Sequence, residues 1–283
     1  MSFMITGITG TLGQRIARKL LARGNFVVGY SRDEYKQQRL ASELSQYRET
    51  LRLYLGDIRD RDRLVEASRH ANWIYHCAAL KHVDKLEENP EEAIQTNIYG
   101  TMNVLHAQRI NEVDGVILAS TDKAVFPINA YGKSKALAED LVLRGPIGNT
   151  VCRYGNVLGS RGSVLQTFVD SLKNEKTVRI TDSKMTRFWW LAEDAAEFVL
   201  SSAGSRDSIR IPTLRAANIM RVAGAVAKLL GVSGFKVETV GIRRGEKLHE
   251  WLDQFTCSNH ENLQMTDNEL ESLIEKALAE EKA

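Results

Sequence analysis

The chain has 283 residues, of which 43% are hydrophobic, and its 38 lysines and arginines nearly balance its 36 aspartates and glutamates, for a formal net charge of +2. This composition is typical of a globular protein with a full-sized core, and the near-neutral charge excludes a polyanionic partner such as nucleic acid. No apolar run approaches the ~18 residues of a membrane-spanning helix, and the first residues lack the pattern of a signal peptide, so we expect no membrane partner.

Short apolar runs rich in strand formers alternate with longer stretches of helical period. The predicted strands cover residues 3–5, 26–30, 51–55, 73–77, 116–120 and 150–153. Between the first two, Leu12, Ile16 and Leu20 recur every four residues, which is the spacing of a buried helix stripe. This alternation predicts an α/β fold with a doubly wound parallel sheet of the Rossmann type.

The pattern loosens beyond Gly159, where glycine and serine become frequent. We therefore expect a dinucleotide-binding domain over residues 1–158 and a smaller lobe over residues 159–283, interleaved with the first. In the last stretch, Thr266 and Glu269 form a possible capping box before an amphipathic terminal helix.

The three cysteines, Cys77, Cys152 and Cys257, are widely spaced and form no CxxC pair. Their odd number disfavours a disulfide framework, and we predict no metal site. A reducing compartment, the cytoplasm, is the expected location.

A glycine pattern, GxxGxxG, links the first strand to the first helix. A dinucleotide site needs a tight turn, close backbone approach to the pyrophosphate, and helix N–H groups aimed at it. The position of this pattern therefore predicts a cofactor site. Its expected contacts are Gly7, Thr9, Gly10, Thr11, Leu12 and Gly13.

The end of the second strand should meet the adenosine ribose. Ser31 and Arg32 can donate to a 2′-phosphate, which favours NADP over NAD. Two alternatives stay open: Arg32 as a solvated surface residue, and Asp33 as an acceptor for the ribose hydroxyls of NAD. Further cofactor contacts are expected at Lys36, Asp57, Ile58, Ala78, Ala79 and Val157.

Tyr131 and Lys135 are spaced four apart in a predicted helix, so they share one face. A lysine ammonium beside the phenol would lower the pKa of Tyr131 and let it act as an acid or base, while Lys135 also binds the nicotinamide ribose. In having both the glycine pattern and this YxxxK motif, the chain resembles the short-chain dehydrogenase/reductase superfamily, and in particular its extended branch.

Thr121, Asp122 and Lys123 follow the fifth strand, where doubly wound sheets place their ligands. Thr121 would hold a substrate hydroxyl beside Tyr131. An acid and a base are unnecessary for hydride transfer alone, but elimination of water requires both. The alternative is a surface charge pair in a loop.

The segment 120–135, STDKAVFPINAYGKSK, resembles the UDP-N-acetylglucosamine 4,6-dehydratases of the 5-inverting type, which act in pseudaminic acid-like sugar pathways. The resemblance implies that Tyr131 takes the 4-hydroxyl proton as NADP accepts hydride. Lys123 then removes the carbon 5 proton, Asp122 protonates the leaving 6-hydroxyl, and hydride returns to carbon 6. The net reaction is a lyase step.

The same resemblance implies substrate contacts and an assembly state. A UDP-sugar would meet Lys81, Asn156, Arg161, Gly162, Ser163, Val164, Arg187, Arg243 and Glu246, and a homo-oligomer is expected. Lys81 would face either the reacting sugar or the carboxamide of the cofactor, so it is also an expected cofactor contact. Alternatives left open are a UDP-sugar 4-epimerase, a 5-retaining dehydratase, and a non-catalytic NADP-binding protein.

Overall fold

The computed structural model describes residues 1–160 and 162–282. The strands are β1 (Ser2–Thr6), β2 (Phe26–Ser31), β3 (Leu51–Leu55), β4 (Trp73–His76), β5 (Gly115–Ala119), β6 (Thr150–Cys152), β7 (Asn156–Leu158), β8 (Thr177–Ile180), β9 (Thr186–Leu191), β10 (Ile209–Arg210), β11 (Arg215–Asn218) and β12 (Lys236–Thr239). The α-helices are α1 (Thr11–Ala22), α2 (Glu34–Glu43), α3 (Arg61–Ala67), α4 (Val83–Glu88), α5 (Pro90–Ala93), α6 (Gly100–Ile110), α7 (Ala130–Leu143), α8 (Val164–Asn174), α9 (Ala192–Leu200), α10 (Ile219–Leu229) and α11 (Asp267–Lys282).

Two compact units divide the chain. The first comprises residues 1–153 and 196–211, and the second comprises residues 154–195 and 212–283. The sequence predicts a boundary after residue 158, and the first segment of the first compact unit ends at Arg153. Residues 196–211 return to the first unit because β10 pairs in parallel with β6 and extends its sheet.

In the described part of the first unit, seven strands form one sheet in the order β10-β6-β5-β4-β1-β2-β3, and every pairing is parallel. The predicted doubly wound sheet is therefore confirmed. The order reverses at β1, which lies between β2 and β4. Because parallel strands place their carboxyl ends at one edge, the loops after β1, β2 and β4 meet at this switch point.

The core of the first unit is apolar because its central strands are covered on both faces. Met4, Ile74, Val116 and Leu118 from three strands are at most 1% exposed. They pack with helix residues such as Val104 in one continuous cluster.

The second unit contains a mixed sheet in the order β11-β9-β7 and a parallel pair of β12 with β8. Helices α8, α10 and α11 pack around Phe168, Val226 and Ile274, which are at most 1% exposed. Thr266 and Glu269 exchange hydrogen bonds at the start of α11, which confirms the capping box. Among the described residues, no helix is both long enough and apolar enough to cross a membrane.

Candidate active site

The glycine turn after β1 has the geometry that a pyrophosphate site requires. Gly7 adopts a φ of 69°, which favours glycine, and its amide donates to Tyr30 O of β2. A Cβ added to Gly13 would lie 2.5 Å from Gly7 O, so only glycine allows α1 to begin this close to the turn. The N-terminus of α1 is thereby held directly at the carboxyl end of β1.

The three residues predicted at the adenosine ribose lie at the end of β2, and the structure gives each a different environment. The Ser31 hydroxyl is buried and accepts from Gln37 at 2.9 Å. Asp33 caps α2 by accepting from the Lys36 amide, and it also pairs with the Lys36 ammonium. Arg32 is exposed, with its guanidinium 3.5 Å from Asp57. Arg32 and Lys36 are therefore two exposed cations that follow β2.

Asp57 follows β3 and stands beside Arg32. Burial acts to raise the pKa of Asp57, but hydrogen bonds from Arg59 and the charges of Arg59 and Arg32 outweigh it, so the pKa is lowered. The Asp57 carboxylate is already engaged by three donors of Arg59, at 2.9 to 3.0 Å. The neighbouring Ile58 is buried in the core of this unit.

A buried polar chain crosses the carboxyl end of β4. The Ala78 amide donates to the Thr6 hydroxyl, which contacts His76 Nδ1 at 2.8 Å, and His76 Nε2 lies 3.0 Å from the Thr101 hydroxyl. Because Thr101 donates its own proton to Asn97 O, His76 Nε2 must be the donor to Thr101. Burial, aided by the charge of Lys135, lowers the pKa of His76 to about 3. His76 is thus a neutral core residue.

Asp122 and Lys123, the residues that the sequence predicts as acid and base, contact each other in the structure. Residues Asp122–Ala124 form a short 3₁₀ helix capped by Thr121. The Lys123 ammonium donates to Asp122 Oδ1 at 3.0 Å, and the Thr121 hydroxyl donates to the same oxygen at 2.9 Å. Asp122 is fully buried, while the Lys123 side chain is 19% exposed. The pair is therefore a partly desolvated charge pair rather than a surface one.

Tyr131 lies in the first turn of α7, whose N-terminus is capped by Asn129. A Cβ on Gly132 would lie 2.2 Å from Lys123 O, so this glycine lets α7 approach the 3₁₀ helix that carries the acid-base pair. Burial raises the pKa of Tyr131 to about 12, opposed by the positive charge of Lys123 and a side-chain hydrogen bond with Thr121. The Tyr131 phenol thus interacts with the charge of Lys123 and with the Thr121 hydroxyl.

Lys135 departs from the sequence expectation. We expected its ammonium to lower the pKa of Tyr131, but the cation that acts on the phenol in this structure is Lys123. The Lys135 ammonium instead donates to Ala119 O at 2.9 Å. Burial lowers the pKa of Lys135 to about 8, against the opposing charge of Glu139. The spacing of the YxxxK motif could not predict the lowered pKa of Lys135, because that pKa is lowered by burial of the ammonium.

Sequence reasoning did not single out two side chains that hold these residues in place. Asn97 bonds both the amide and the carbonyl of Leu80 and donates to Ser134 on α7. Glu139, buried one turn after Lys135, accepts from Ser120 and Arg153. The signal available for Glu139 was its four-residue spacing from Lys135 on the buried face of the helix.

In the second unit, Arg187 is the predicted substrate residue with the clearest environment. It is 7% exposed, and its guanidinium donates to three backbone carbonyls, those of Thr186, Lys247 and Leu248. Among the residues that the structure describes, no carboxylate pairs with it. A buried cation whose partners are only carbonyl dipoles favours the approach of an anion.

The remaining predicted substrate contacts of this unit lie at a helix start and in a turn. Ser163 precedes α8, and its buried hydroxyl has no hydrogen-bond partner among the described residues. Arg161 lies outside the described residues. Of the other predicted contacts, Asn156 and Val157, the latter predicted for the cofactor, lie on β7, and Gly162 and Val164 flank Ser163 in the chain. Arg243 and Glu246 share one turn, in which the Arg243 amide donates to the Glu246 carboxylate at 3.2 Å.

Three further residues of the second unit have structural roles. His249 Nδ1 lies 2.8 Å from the Thr186 hydroxyl. Burial, with the charge of Arg187, lowers the pKa of His249. Trp189 and Trp190 are both buried, and Trp189 belongs to the hydrophobic core of this unit.

Sheet order, glycine turn and the Tyr131–Lys135 helix together define an extended short-chain dehydrogenase/reductase fold. The family model described as "Polysaccharide biosynthesis protein" matches residues 3–271. The chain belongs to this family.

Relatives and solved structures agree with this assignment. A Campylobacter jejuni protein named UDP-N-acetylglucosamine 4,6-dehydratase (inverting) is 40% identical over 88% of this chain and 76% of its own length. A Rickettsia akari protein named UDP-glucose 4-epimerase is 39% identical over 89% of this chain and 77% of its own. The solved structure of Pen from Bacillus thuringiensis is 29% identical, with a TM-score of 0.91 over 97% of this chain and 98% of that one.

Proposed function

We propose that the chain is a UDP-N-acetylglucosamine 4,6-dehydratase, a hydro-lyase that forms a 4-keto-6-deoxy sugar nucleotide with inversion at carbon 5. The observation that carries this proposal is the hydrogen bond between Lys123 and the buried Asp122, in a segment that also couples to Tyr131. The name of the Campylobacter jejuni relative supports the same reaction.

The geometry of the pair explains how one segment supplies both an acid and a base. Lys123 can take a proton only as a neutral amine, and Asp122 can give one only as a neutral carboxyl. Moving a single proton along their 3.0 Å hydrogen bond produces both forms at constant net charge. Because Asp122 is fully buried, desolvation by a bound sugar favours this neutral pair.

Elimination then restores the charged pair. Lys123 removes the carbon 5 proton, which an adjacent ketone makes acidic, and Asp122 gives its proton to the departing 6-hydroxyl, which leaves as water. In the preceding step, Tyr131 must first release its own proton and then, as a phenolate, takes the 4-hydroxyl proton; the Lys123 ammonium favours that phenolate because its charge opposes the raised pKa of the phenol. The proton shift from Lys123 to Asp122 therefore separates the oxidation step from the elimination step.

We propose NADP as the cofactor. When bound, it would supply a hydride acceptor for carbon 4 that later returns the hydride to carbon 6. The glycine cradle at Gly13 fits a pyrophosphate, and the exposed Arg32 and Lys36 fit a 2′-phosphate, whereas Asp33 is already engaged as a helix cap.

Replacing Arg32 with Ala should weaken NADP binding by about 10- to 100-fold, the value of a charged hydrogen bond, and leave NAD binding unchanged. Calorimetric titration with both cofactors measures this; equal losses for both would contradict the proposal.

For the substrate, we propose that Arg187 and the N-terminus of α8 bind the diphosphate of UDP. The support is the absence of a carboxylate partner for Arg187 among the described residues and the unpartnered hydroxyl of Ser163. Helix N-termini and guanidinium groups are both suited to phosphate oxygens. Lys81, Asn156, Arg243 and Glu246 remain proposed contacts on the strength of the resemblance, as does Arg161.

The decisive experiment is turnover of UDP-N-acetylglucosamine in heavy water. A dehydratase should release a 4-keto-6-deoxy product with one solvent deuterium at carbon 5, visible by mass spectrometry and NMR. The configuration at carbon 5 follows from the same spectra. Unchanged substrate after prolonged incubation would favour the non-catalytic alternative.

A matched pair of variants tests the role of Lys123. Lys123→Met should lose about 10²- to 10⁴-fold in turnover, the usual contribution of a general base. Lys133→Met, which removes an exposed lysine from α7, should leave turnover unchanged. Normal turnover in Lys123→Met would overturn the assignment.

The second candidate is a UDP-sugar 4-epimerase, which the name of the Rickettsia akari relative favours. An epimerase needs Tyr131 but has no use for an acid-base pair at residues 122 and 123. It would yield the carbon 4 epimer without solvent deuterium, so the heavy-water experiment separates the two activities.

We further propose a cytoplasmic homo-oligomer. Tyr99, Met102 and Leu137 lie on or beside α6 and α7 and are each more than 40% exposed, an apolar surface suited to a second copy of the chain. All three cysteines are free thiols, as expected in a reducing compartment. Light scattering of Met102→Glu against the wild type tests the assembly, and an unchanged mass would contradict this interface.

A further inference from the structure

Glu139 and Arg153 form a buried ion pair that the proposed reaction does not use. Arg153 donates through Nε to Glu139 Oε1 at 3.2 Å and through Nη2 to Glu139 Oε2, and Ser120 adds a hydrogen bond to Oε1. Glu139 is 4% exposed. Burying two ions is expensive, and such pairs are weak contributors to stability. Stability alone therefore does not account for the presence of Glu139 and Arg153 at this position.

The pair is attached to the same strand end as Lys135. The Lys135 ammonium donates to Ala119 O, and the next residue, Ser120, donates to Glu139. Because Lys135 and Glu139 are four apart on α7, they are neighbours on one helix face. Arg153 comes directly after β6, which pairs with β5 through Ala119 and Cys152. These contacts join α7, the end of β5 and the end of β6 just before Thr121 in the chain.

Glu139 is also the acid that controls the charge environment of Lys135. The other titratable groups that face Lys135 are Cys77 and His76, from the end of β4. Burial raises the pKa of the Cys77 thiol to about 12, and burial together with Lys135 lowers that of His76 to about 3, so both are neutral near pH 7. Among the described residues, the charge that favours the ammonium form of Lys135 therefore comes from Glu139.

We propose that Glu139 and Arg153 are a positioning pair for Lys135: Glu139 holds it as an ammonium at the end of β5, and Arg153 limits that effect by neutralising Glu139. The proposal rests on the role given to Lys135 under the proposed function. Under this proposal, removing Glu139 would favour the neutral amine of Lys135, and removing Arg153 would favour its ammonium form.

Two variants should shift Lys135 in opposite directions. Glu139→Gln keeps the size and the acceptor oxygen but leaves Arg153 as an unneutralised cation, so the titration midpoint of Lys135 should fall by about one pH unit. Arg153→Met leaves Glu139 unneutralised, so the midpoint should rise. The double variant removes both charges and should return close to the wild type.

The direct measurement is NMR of protein labelled with ¹³C at lysine Cε, in which the Lys135 resonance is assigned by its absence from Lys135→Met. The alkaline limb of the pH profile of kcat should move with the NMR midpoint in each variant. Shifts in the same direction for both single variants, or no shift in either, would overturn the proposal. If Glu139→Gln does not fold, a fall in place of a rise in Arg153→Met overturns it equally.

The two readouts distinguish this proposal from the proposed function. If the wild type does not turn over UDP-N-acetylglucosamine, the reaction is refuted while the NMR titration still decides the role of the pair. If turnover is present and the midpoints do not move, the reaction stands and the pair is structural only.

Discussion

Lys135→Met should make the protein more stable near neutral pH while abolishing its proposed activity. Lys135 is 3% exposed, and burial lowers its pKa from an ordinary value near 10.5 to about 8. A shift of that size corresponds to about 3 kcal/mol of unfavourable free energy for holding the ammonium in the folded state. Methionine fills a similar volume and carries no charge, so this penalty disappears.

Part of the gain is offset by a lost hydrogen bond. The Lys135 ammonium donates to Ala119 O, and leaving that carbonyl without its donor costs about 1 to 2 kcal/mol. We therefore expect a net stabilisation of about 1 to 2 kcal/mol at pH 7. Glu139 remains neutralised by Arg153 in the variant, so no second buried charge is exposed by the change.

The pH dependence provides the sharper test. Below about pH 8, Lys135 is protonated in both the folded and the unfolded wild type, so the full penalty is present. As pH rises from about 8 towards 10.5, the folded protein releases this proton first and the penalty fades. The advantage of Lys135→Met should shrink across that window. Equilibrium urea unfolding at several pH values measures it, and a destabilised variant or a pH-independent difference would refute the reasoning.

Three further predictions concern backbone geometry. Gly13→Ala places a Cβ 2.5 Å from a backbone carbonyl and should destabilise by ~2 kcal/mol or more and weaken cofactor binding, measured by urea unfolding and titration. Gly224→Ala, at a helix position with open space around it, should instead stabilise by about 1 kcal/mol; a loss there would show that α10 needs its glycine. Phe126 has a φ of 45° and Glu112 a φ of 50°, so asparagine at either position should raise the melting temperature by relieving about 1 kcal/mol of strain. A gain at Glu112 alone would indicate that contacts of the Phe126 ring compensate for its backbone.

The sequence was sufficient to locate the central strands. All six predicted strands match β1 to β6 within one residue at each end. The buried central strands β1, β4 and β5 read as short apolar runs, whereas the edge strand β3 is partly exposed and is recognised by its strand-forming residues. β10 was missed because it has two residues and depends entirely on pairing with β6. β12 was missed because all of its residues are exposed and it carries no apolar alternation.

The same contrast holds in the candidate site. Thr121, Asp122 and Lys123 are adjacent in the chain, so their proximity could be predicted, and the hydrogen bonds among them confirm it. The bond between Glu139 and Arg153 joins a helix to the end of a different strand, which no local pattern indicates. The pKa of Lys135 depends on how much water is excluded around it, and spacing carries no information about that quantity.

Helix α9 begins in the second unit and ends in the first, so neither unit is one continuous piece of chain. Cutting after Arg153 would remove Leu200, whose carbonyl accepts from the buried Tyr75 hydroxyl, together with the edge strand β10. A fragment of residues 1–153 would then expose the open side of β6 to other chains. Exchange of the second unit between relatives must therefore transfer two separate segments, joined at residues 153/154, 195/196 and 211/212.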